Sequence, residues 1–252
     1  MKHIISIAVL LLLISVAVIP LATGADFLSN QKKYERVRTA YKEKENLLKE
    51  RLKTLNLTLD KLNILFVAYK NEKKLDVFAK SKTNSTYTLL TSYDICASSG
   101  QLGPKRMQGD GQVPEGFYHI EKFNPSSAYY LSLGVNYPNL ADKKKSTAAN
   151  LGGDIFIHGE CVTIGCMPMT NDKIKEIYLL AIQAYQNGQL KIPVYIFPFK
   201  LTDDNLNLFK SSSASHPELI TFWENLKKGY DKFSVQFKEI PFTISKEGDY
   251  LF

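Results

Sequence analysis

Apolar positions along the chain change period several times, and each change marks an element. From Phe27 to about Leu55, in "FLSNQKKYERVRTAYKEKENLLKERLKTL", Tyr34, Val37, Tyr41, Leu48 and Leu52 recur at helical spacing between Glu and Lys residues. This spacing predicts one amphipathic helix that packs through its stripe. From about residue 62 the apolar, β-branched and aromatic residues come in short runs separated by "KNEKK" and "KTNS". Three short strands in a meander follow from that pattern.

Between Gly100 and Gly116 the segment carries five glycines and two prolines. That density of turn formers predicts a structured loop, and a strand starts at Phe117. "AYYLSLG" and "GDIFIHG" are the next strand candidates. In "TNDKIKEIYLLAIQAYQNGQ", Thr170 is the predicted N-cap and Ile174, Ile177, Tyr178, Ala181, Ile182 and Tyr185 keep a helical stripe until Gly188 ends it. "IPVYIFPF" reads as a strand and "HPELITFWENLKKGYDKF" as a last helix.

The first 24 residues, "MKHIISIAVLLLLISVAVIPLATG", carry Lys2 as their single charged residue, an apolar run from Ile4 to Ile19, then Pro20 and small residues. This is the layout of a signal for export, with an uncleaved N-terminal anchor as the competing reading. The expected organisation is therefore 1–24 as signal or anchor, 25–58 as the amphipathic helix, and 59–252 as one domain. The remainder is expected to be exported, to a periplasm or cell envelope, with membrane contact only through the N-terminal segment if that is retained.

The 252 residues are 44% hydrophobic and 23% charged with a net charge of +7, an ordinary globular composition. No basic run is interleaved with aromatics, so nucleic acid is not an expected partner; "KKK" at 143–145 reads as a solvated face. Three cysteines, Cys96, Cys161 and Cys166, leave an odd thiol in an oxidising compartment. Cys161 can pair with Cys166, which would block thiol chemistry, or with Cys96, which would leave Cys166 as the odd one.

The segment "DIFIHGECVTIGC" places His158 at the end of a strand and Cys166 in a turn ahead of the helix. If a short loop brings imidazole and thiol together, the histidine can take the thiol proton and make a thiolate nucleophile. Gly159 lets the chain leave the strand sharply, and Gly165 lets nearby backbone N–H groups face a ligand. The N–H groups of Gly165 and Cys166 are the candidate oxyanion donors, and the Gly159 carbonyl or a nearby hydroxyl is the candidate to orient the imidazole. A buried structural cysteine and histidine are the ordinary rivals. Zinc at His158, Cys161 and Cys166 lacks a fourth ligand.

Several stretches together carry a resemblance. "GDGQVPEGFYHI" resembles the strand entry of the YkuD-type L,D-transpeptidase family, and "HGECVTIGC" resembles that family's HG…[S/T]xGC signature. "SGQLGPKRMQGDGQVPEG" and "NPSSAYYLSLGVNYPN" are similar to its YafK-like branch. The resemblance implies an α+β, mainly β fold with peripheral helices, preceded by the N-terminal helix. It implies an exported enzyme acting on peptidoglycan stem peptides, with a wall-attached protein as a further acceptor or substrate, and no metal or organic cofactor.

Matched residue by residue, the resemblance makes Cys166 the nucleophile, His158 the general base, Gly159 the orienting carbonyl and Thr163 the Ser/Thr of the signature. Gly165 and Cys166 supply the oxyanion amides. Two departures stand out: classical members space the histidine and cysteine about twice as far apart, and many carry Arg or Asn after the cysteine where this chain has Met167 and Pro168. Lys105 and Arg106 are the expected substitutes for holding a substrate carboxylate. The expected function is cysteine-dependent acyl transfer at L,D-amide bonds, to an amine or to water, with a non-catalytic wall-binding module as the alternative.

Overall fold

The computed structural model describes residues 24–252, so the segment expected to be an export signal or anchor lies outside the described residues but for Gly24, where the first helix opens. No described helix is long and apolar enough to cross a membrane. The N-terminal segment forms two helices, α1 (Gly24–Lys32) and α2 (Glu35–Lys53), where the spacing predicts one. The break has a side-chain cause. Arg38 donates from Nη1 to the carbonyls of Lys32 (3.1 Å) and Lys33 (2.6 Å), satisfying the end of α1, and Tyr34 is extended (φ −85°, ψ 131°). Val37, Tyr41, Leu48 and Leu52 of the predicted stripe are buried in α2 together with Ala40, while Tyr34, at the break between the helices, is 43% exposed.

The meander is present as β1 (Leu62–Tyr69), β2 (Lys74–Ser81) and β3 (Thr88–Asp94), paired antiparallel in that order. After the glycine-rich loop come β4 (Gly116–Ser127), β5 (Tyr130–Val135), the short helix α3 (Leu140–Lys145), β6 (Phe156–His158) and β7 (Met167–Pro168). Helix α4 (Asn171–Gln186) begins at Thr170, whose Oγ1 accepts from Lys173 N at 3.3 Å, and the predicted Gly188 sits at φ +101° just past its end. Then follow β8 (Ile192–Phe197), α5 (Asp203–Ser212), α6 (Pro217–Gln236), β9 (Thr243–Ile244) and β10 (Tyr250–Leu251).

Eight strands make one sheet in the order β3-β2-β1-β8-β4-β5-β6-β7. Its middle is covered on both faces. Ile64, Phe66 and Ala68 of β1 and Ile192, Val194 and Ile196 of β8 join the core built with α2 and α4. The alternate residues, Leu65, Val67, Tyr69, Tyr195 and Phe197, join an aromatic core with Trp223 and Phe233 of α6. Burial on both faces is why these strands read as unbroken apolar runs. The fold is the expected α+β architecture with a curled sheet and peripheral helices.

Five elements, α3, α5 and the two-residue strands β7, β9 and β10, have no counterpart in the sequence reading. The run "LADKKK" is α3, started by a capping box between Asn139 and Asp142. Helix α5 buries only Leu206, so its stripe is too narrow to register. The pair β9 and β10 consists of two-residue strands. Two buried carboxylates knit the layers together. Glu176 accepts from Arg51 (2.8 Å) and Tyr93 (2.7 Å), joining α4 to α2 and β3. Glu115, fully buried, accepts from Lys70 (2.8 Å), Gly103 N (2.7 Å) and Trp223 Nε1 (2.9 Å), tying the glycine-rich loop to β1 and α6.

Candidate active site

Strands β6 and β7 lie side by side at the sheet edge in parallel register, Ile157 opposite Met167 and His158 opposite Pro168. Cys166 directly precedes β7 and so falls beside Phe156, two residues along from His158 and on the same side of the pleat. Ordinary strand spacing and rise set that diagonal at about 8 Å between Cα atoms, close enough for the two side chains to meet. The seven residues between them are bound into a compact loop.

His158 is 2% exposed. Its Nδ1 lies 2.5 Å from the Gly159 carbonyl, and a carbonyl can only accept, so Nδ1 carries the proton and Nε2 is left as the acceptor. The ring of Tyr129 covers the imidazole at 4.7 Å between centroids. Burial pulls the His158 pKa below 6.5, against the smaller opposing effects of the Gly159 carbonyl and Glu160. The imidazole is therefore neutral at neutral pH.

Gly159 is needed for a different reason from the one expected. A Cβ at this position would stand 2.5 Å from Asn171 Oδ1, 2.9 Å from the Tyr129 carbonyl and 3.0 Å from Tyr130 Cβ. Close packing, not a sharp exit from the strand, excludes a side chain. Asn171 Oδ1 also accepts from Glu160 N at 3.0 Å, fixing the start of the loop to the first residue of α4.

Cys166 is the free thiol of the three cysteines. Cys96 and Cys161 form a disulfide with Cα atoms 5.4 Å apart, which decides the pairing that the sequence leaves open. Cys96 also donates from its N–H to the Pro168 carbonyl at 3.0 Å, so the bridge pins the His–Cys loop to both β7 and the end of β3. The Cys166 thiol points toward the Asp154 carbonyl, 3.5 Å from Sγ, and makes no hydrogen bond to His158 in this structure. Burial pushes the Cys166 thiol above 9.0; the Phe156 N–H and Lys105 work against this and Asp154 adds to it. Thiol and imidazole thus rest as a neutral pair rather than as a preformed thiolate and imidazolium.

Thr163 organises the turn. Its Oγ1 accepts from Cys166 N (2.8 Å) and Gly165 N (3.2 Å) and donates to the Cys166 carbonyl (2.9 Å). The two amides expected to face a ligand are turned toward this hydroxyl instead, because a Thr side chain two or three residues ahead is the nearest acceptor. Gly165 does adopt a backbone reserved for glycine, at φ +134°.

Neither basic candidate is a free surface cation. Lys105 is 4% exposed and donates to the Met107 carbonyl (2.8 Å) and Asp110 Oδ1 (2.6 Å). It nevertheless faces a cavity that Cys166 also lines. Arg106 packs over the Phe222 ring at 5.2 Å, pairs with Asp142 at 3.4 Å, and lines a separate cavity that Cys166 does not reach. Both are held by acids close in space, Asp110 and Asp142.

Cys166 stands in the wall between two cavities. One, about 210 Å³, includes Lys70, Lys73, Ser98, Ser99 and Gln101. The other, about 230 Å³, includes Lys105, Asp154, Ile155 and Ile164. Sequence reasoning missed Tyr129, Asp154 and Asn171. For Asp154 the signal was present in "GGDIFIHG", a lone acid between two glycines and the histidine strand. Among the described residues no cluster of His, Cys, Asp and Glu has the makings of a metal site.

Residues 63–196 match the model of the YkuD family, the L,D-transpeptidase catalytic domain. The chain is 41% identical over 179 residues to a protein of Escherichia coli strain K12 named "Putative L,D-transpeptidase YafK", covering 70% of this chain and 68% of that one. Among solved structures, the helical cell shape determining protein Pgp2 of Campylobacter jejuni is similar at 20% identity and a TM-score of 0.44, over 73% of this chain and 74% of Pgp2. Bd1075 of Bdellovibrio bacteriovorus is similar at 26% identity and a TM-score of 0.38, over 54% of this chain and 48% of its own.

Proposed function

The chain belongs to the YkuD family of L,D-transpeptidase catalytic domains, and from that premise we propose that it is an exported, cysteine-dependent acyl-transfer enzyme of the cell wall. Its bond is an L,D-amide of a peptidoglycan stem peptide. The observation that carries the reading is a free thiol, lining two cavities, set diagonally across the β6–β7 edge from a buried imidazole whose Nδ1 proton is committed to the Gly159 carbonyl.

In the proposed reaction, substrate entry moves the Cys166 thiol off the Asp154 carbonyl. Its proton passes to His158 Nε2 as sulfur attacks the carbonyl carbon. Waiting for substrate before ionising suits a neutral pair in a buried setting, since apo contacts at such sites tighten only in the complex. The tetrahedral oxyanion is received by the amides of Gly165 and Cys166, which exchange the Thr163 hydroxyl for the substrate oxygen. Collapse breaks the C–N bond, and His158 gives its proton to the departing amine. The resulting thioester is then transferred to an amine, on a second stem or a wall-attached protein, or to water. No metal or organic cofactor takes part in these steps.

The Cys96–Cys161 disulfide supports an oxidising compartment such as a periplasm. The test is incubation of the wild type and of Cys166→Ala with purified peptidoglycan, followed by mass analysis of the stem peptides. New linkages or loss of a terminal residue with the wild type alone supports acyl transfer or hydrolysis, respectively. Binding without any change in the peptides, by both proteins alike, would refute catalysis and leave a wall-binding module.

A further inference from the structure

Arg36 lies on α2, outside the stretch 63–196 that matches the family model. Its side chain nevertheless reaches the turn between β4 and β5. Arg36 Nη1 donates to the carbonyls of Ser127 (2.6 Å) and Tyr130 (2.7 Å), the paired residues that close this turn, and the guanidinium lies 5.5 Å over the Tyr130 ring. Hydrogen bonds donated by a cation are roughly twice as strong as neutral ones. No other side chain among the described residues bonds these two carbonyls.

The same turn meets the candidate base. Its Tyr129 ring lies over the His158 imidazole at 4.7 Å between centroids. Its backbone also stands against Gly159, where a Cβ would come within 2.9 Å of the Tyr129 carbonyl and 3.0 Å of Tyr130 Cβ. Tyr129 is 45% exposed, so burial of its own ring does not hold it there. Tyr130 takes a left-handed backbone (φ 70°), which a bulky residue keeps only where its surroundings impose it. The bonds from Arg36 supply that constraint.

We propose that Arg36 is a positioning residue: through the Ser127 and Tyr130 carbonyls it fixes the turn that keeps Tyr129 over the imidazole, which makes the N-terminal helix a working part of the site. The effect on turnover rests on the acyl-transfer reading, whereas the clamp itself is a property of the resting protein. The titratable groups facing the ring are Tyr129 from the turn, Glu160 from the loop and Cys166 from across the β6–β7 edge. Arg36 acts through the turn and not on the ring.

The experiment compares the full chain with Arg36→Met by NMR titration of the His158 ring. Arg36 is exposed and methionine is a good helix former, so the fold should survive. Loss of the clamp should free Tyr129, hydrate the imidazole and raise its pKa toward 6.5, since burial is what lowers it. Arg38→Met removes a cation of the same helix that bonds only the end of α1, and should leave the ring unchanged. In a Tyr129→Leu background Arg36→Met should add no further shift, because its effect passes through Tyr129. With synthetic stem peptides, Arg36→Met should lower kcat about tenfold and leave KM within about twofold. An unmoved His158 pKa in Arg36→Met, an equal shift from Arg38→Met, the same shift in the Tyr129→Leu background, or a loss confined to KM would overturn the proposal. A wild type that turns over no stem peptide would sink acyl transfer, and the NMR comparison would still decide the clamp, so the two failures are distinguishable.

Discussion

Replacing Thr163 with valine keeps the shape of the side chain and removes one hydroxyl that makes three hydrogen bonds, at 2.8, 2.9 and 3.2 Å. At about 1 kcal/mol net for each bond, the turn before Cys166 should lose about 2–3 kcal/mol of local stability. The loss should stay local, because the start of the loop is tied by the Cys96–Cys161 bridge and Asn171, and its end by the pairing of β7 with β6. Amide hydrogen exchange read by NMR is the assay. The Cys166 and Gly165 amides should exchange about 30- to 150-fold faster in Thr163→Val, while amides of β1 and β8 change little and Thr163→Ser restores protection. Exchange at Cys166 within threefold of the wild type would refute the idea that the hydroxyl holds these amides, and with it the account of where the oxyanion donors rest.

Other consequences are open to direct measurement. Glu115→Ala leaves the Lys70 ammonium buried without its partner and should cost about 3–5 kcal/mol in urea denaturation. Asp142, pushed up to about 6 by burial, is a carboxylate with a raised folded pKa. Its contribution to stability is complete below the unfolded value near 3.8 and is lost as pH rises through about 6. Asp142→Asn removes this loss, so its stability relative to the wild type should improve between pH 4 and 7.5 by about 3 kcal/mol at most, as urea melts at the two pH values would show. With the His158 pKa lowered, the acidic limb of kcat/KM on peptidoglycan should fall below pH 6.5; a limb above that value would contradict a neutral, buried imidazole. Cys96→Ser with Cys161→Ser opens a 65-residue span and should destabilise by about 4 kcal/mol on chain entropy, read by thermal or urea unfolding.

What could be read in advance was local. The stripe of α4, its Thr170 cap and the two-faced burial of β1 and β8 each leave a mark within one element. So does the His158 to Cys166 motif, whose residues are eight positions apart. What could not be read depends on partners distant in sequence or on the direction of a side chain. The interruption at Lys33 and Tyr34 is held by Arg38 and by contacts of Arg36 with the carbonyls of Ser127 and Tyr130. The burial of Lys105 depends on how the glycine-rich loop folds back on Asp110 and against Tyr137. A motif names the amides of Gly165 and Cys166 but not whether a hydroxyl already occupies them. Asp154 was overlooked because an exposed acid is ordinary until the cavity beside it is known.

Three sulfurs can be joined in pairs three ways, and two of those ways consume Cys166. The local combination, Cys161 with Cys166, closes the smallest ring and is the easiest to form in a chain that has not yet assembled its sheet. The bridge that is present instead spans 65 positions and requires β3 and the β6–β7 edge to have met. Oxidation before assembly therefore favours isomers in which Cys166 is no longer a thiol. A preparation made reduced and exposed to air would be a mixture in which every isomer keeps one thiol, and peptide mapping of the alkylated cysteine would measure the fraction that leaves Cys166 free.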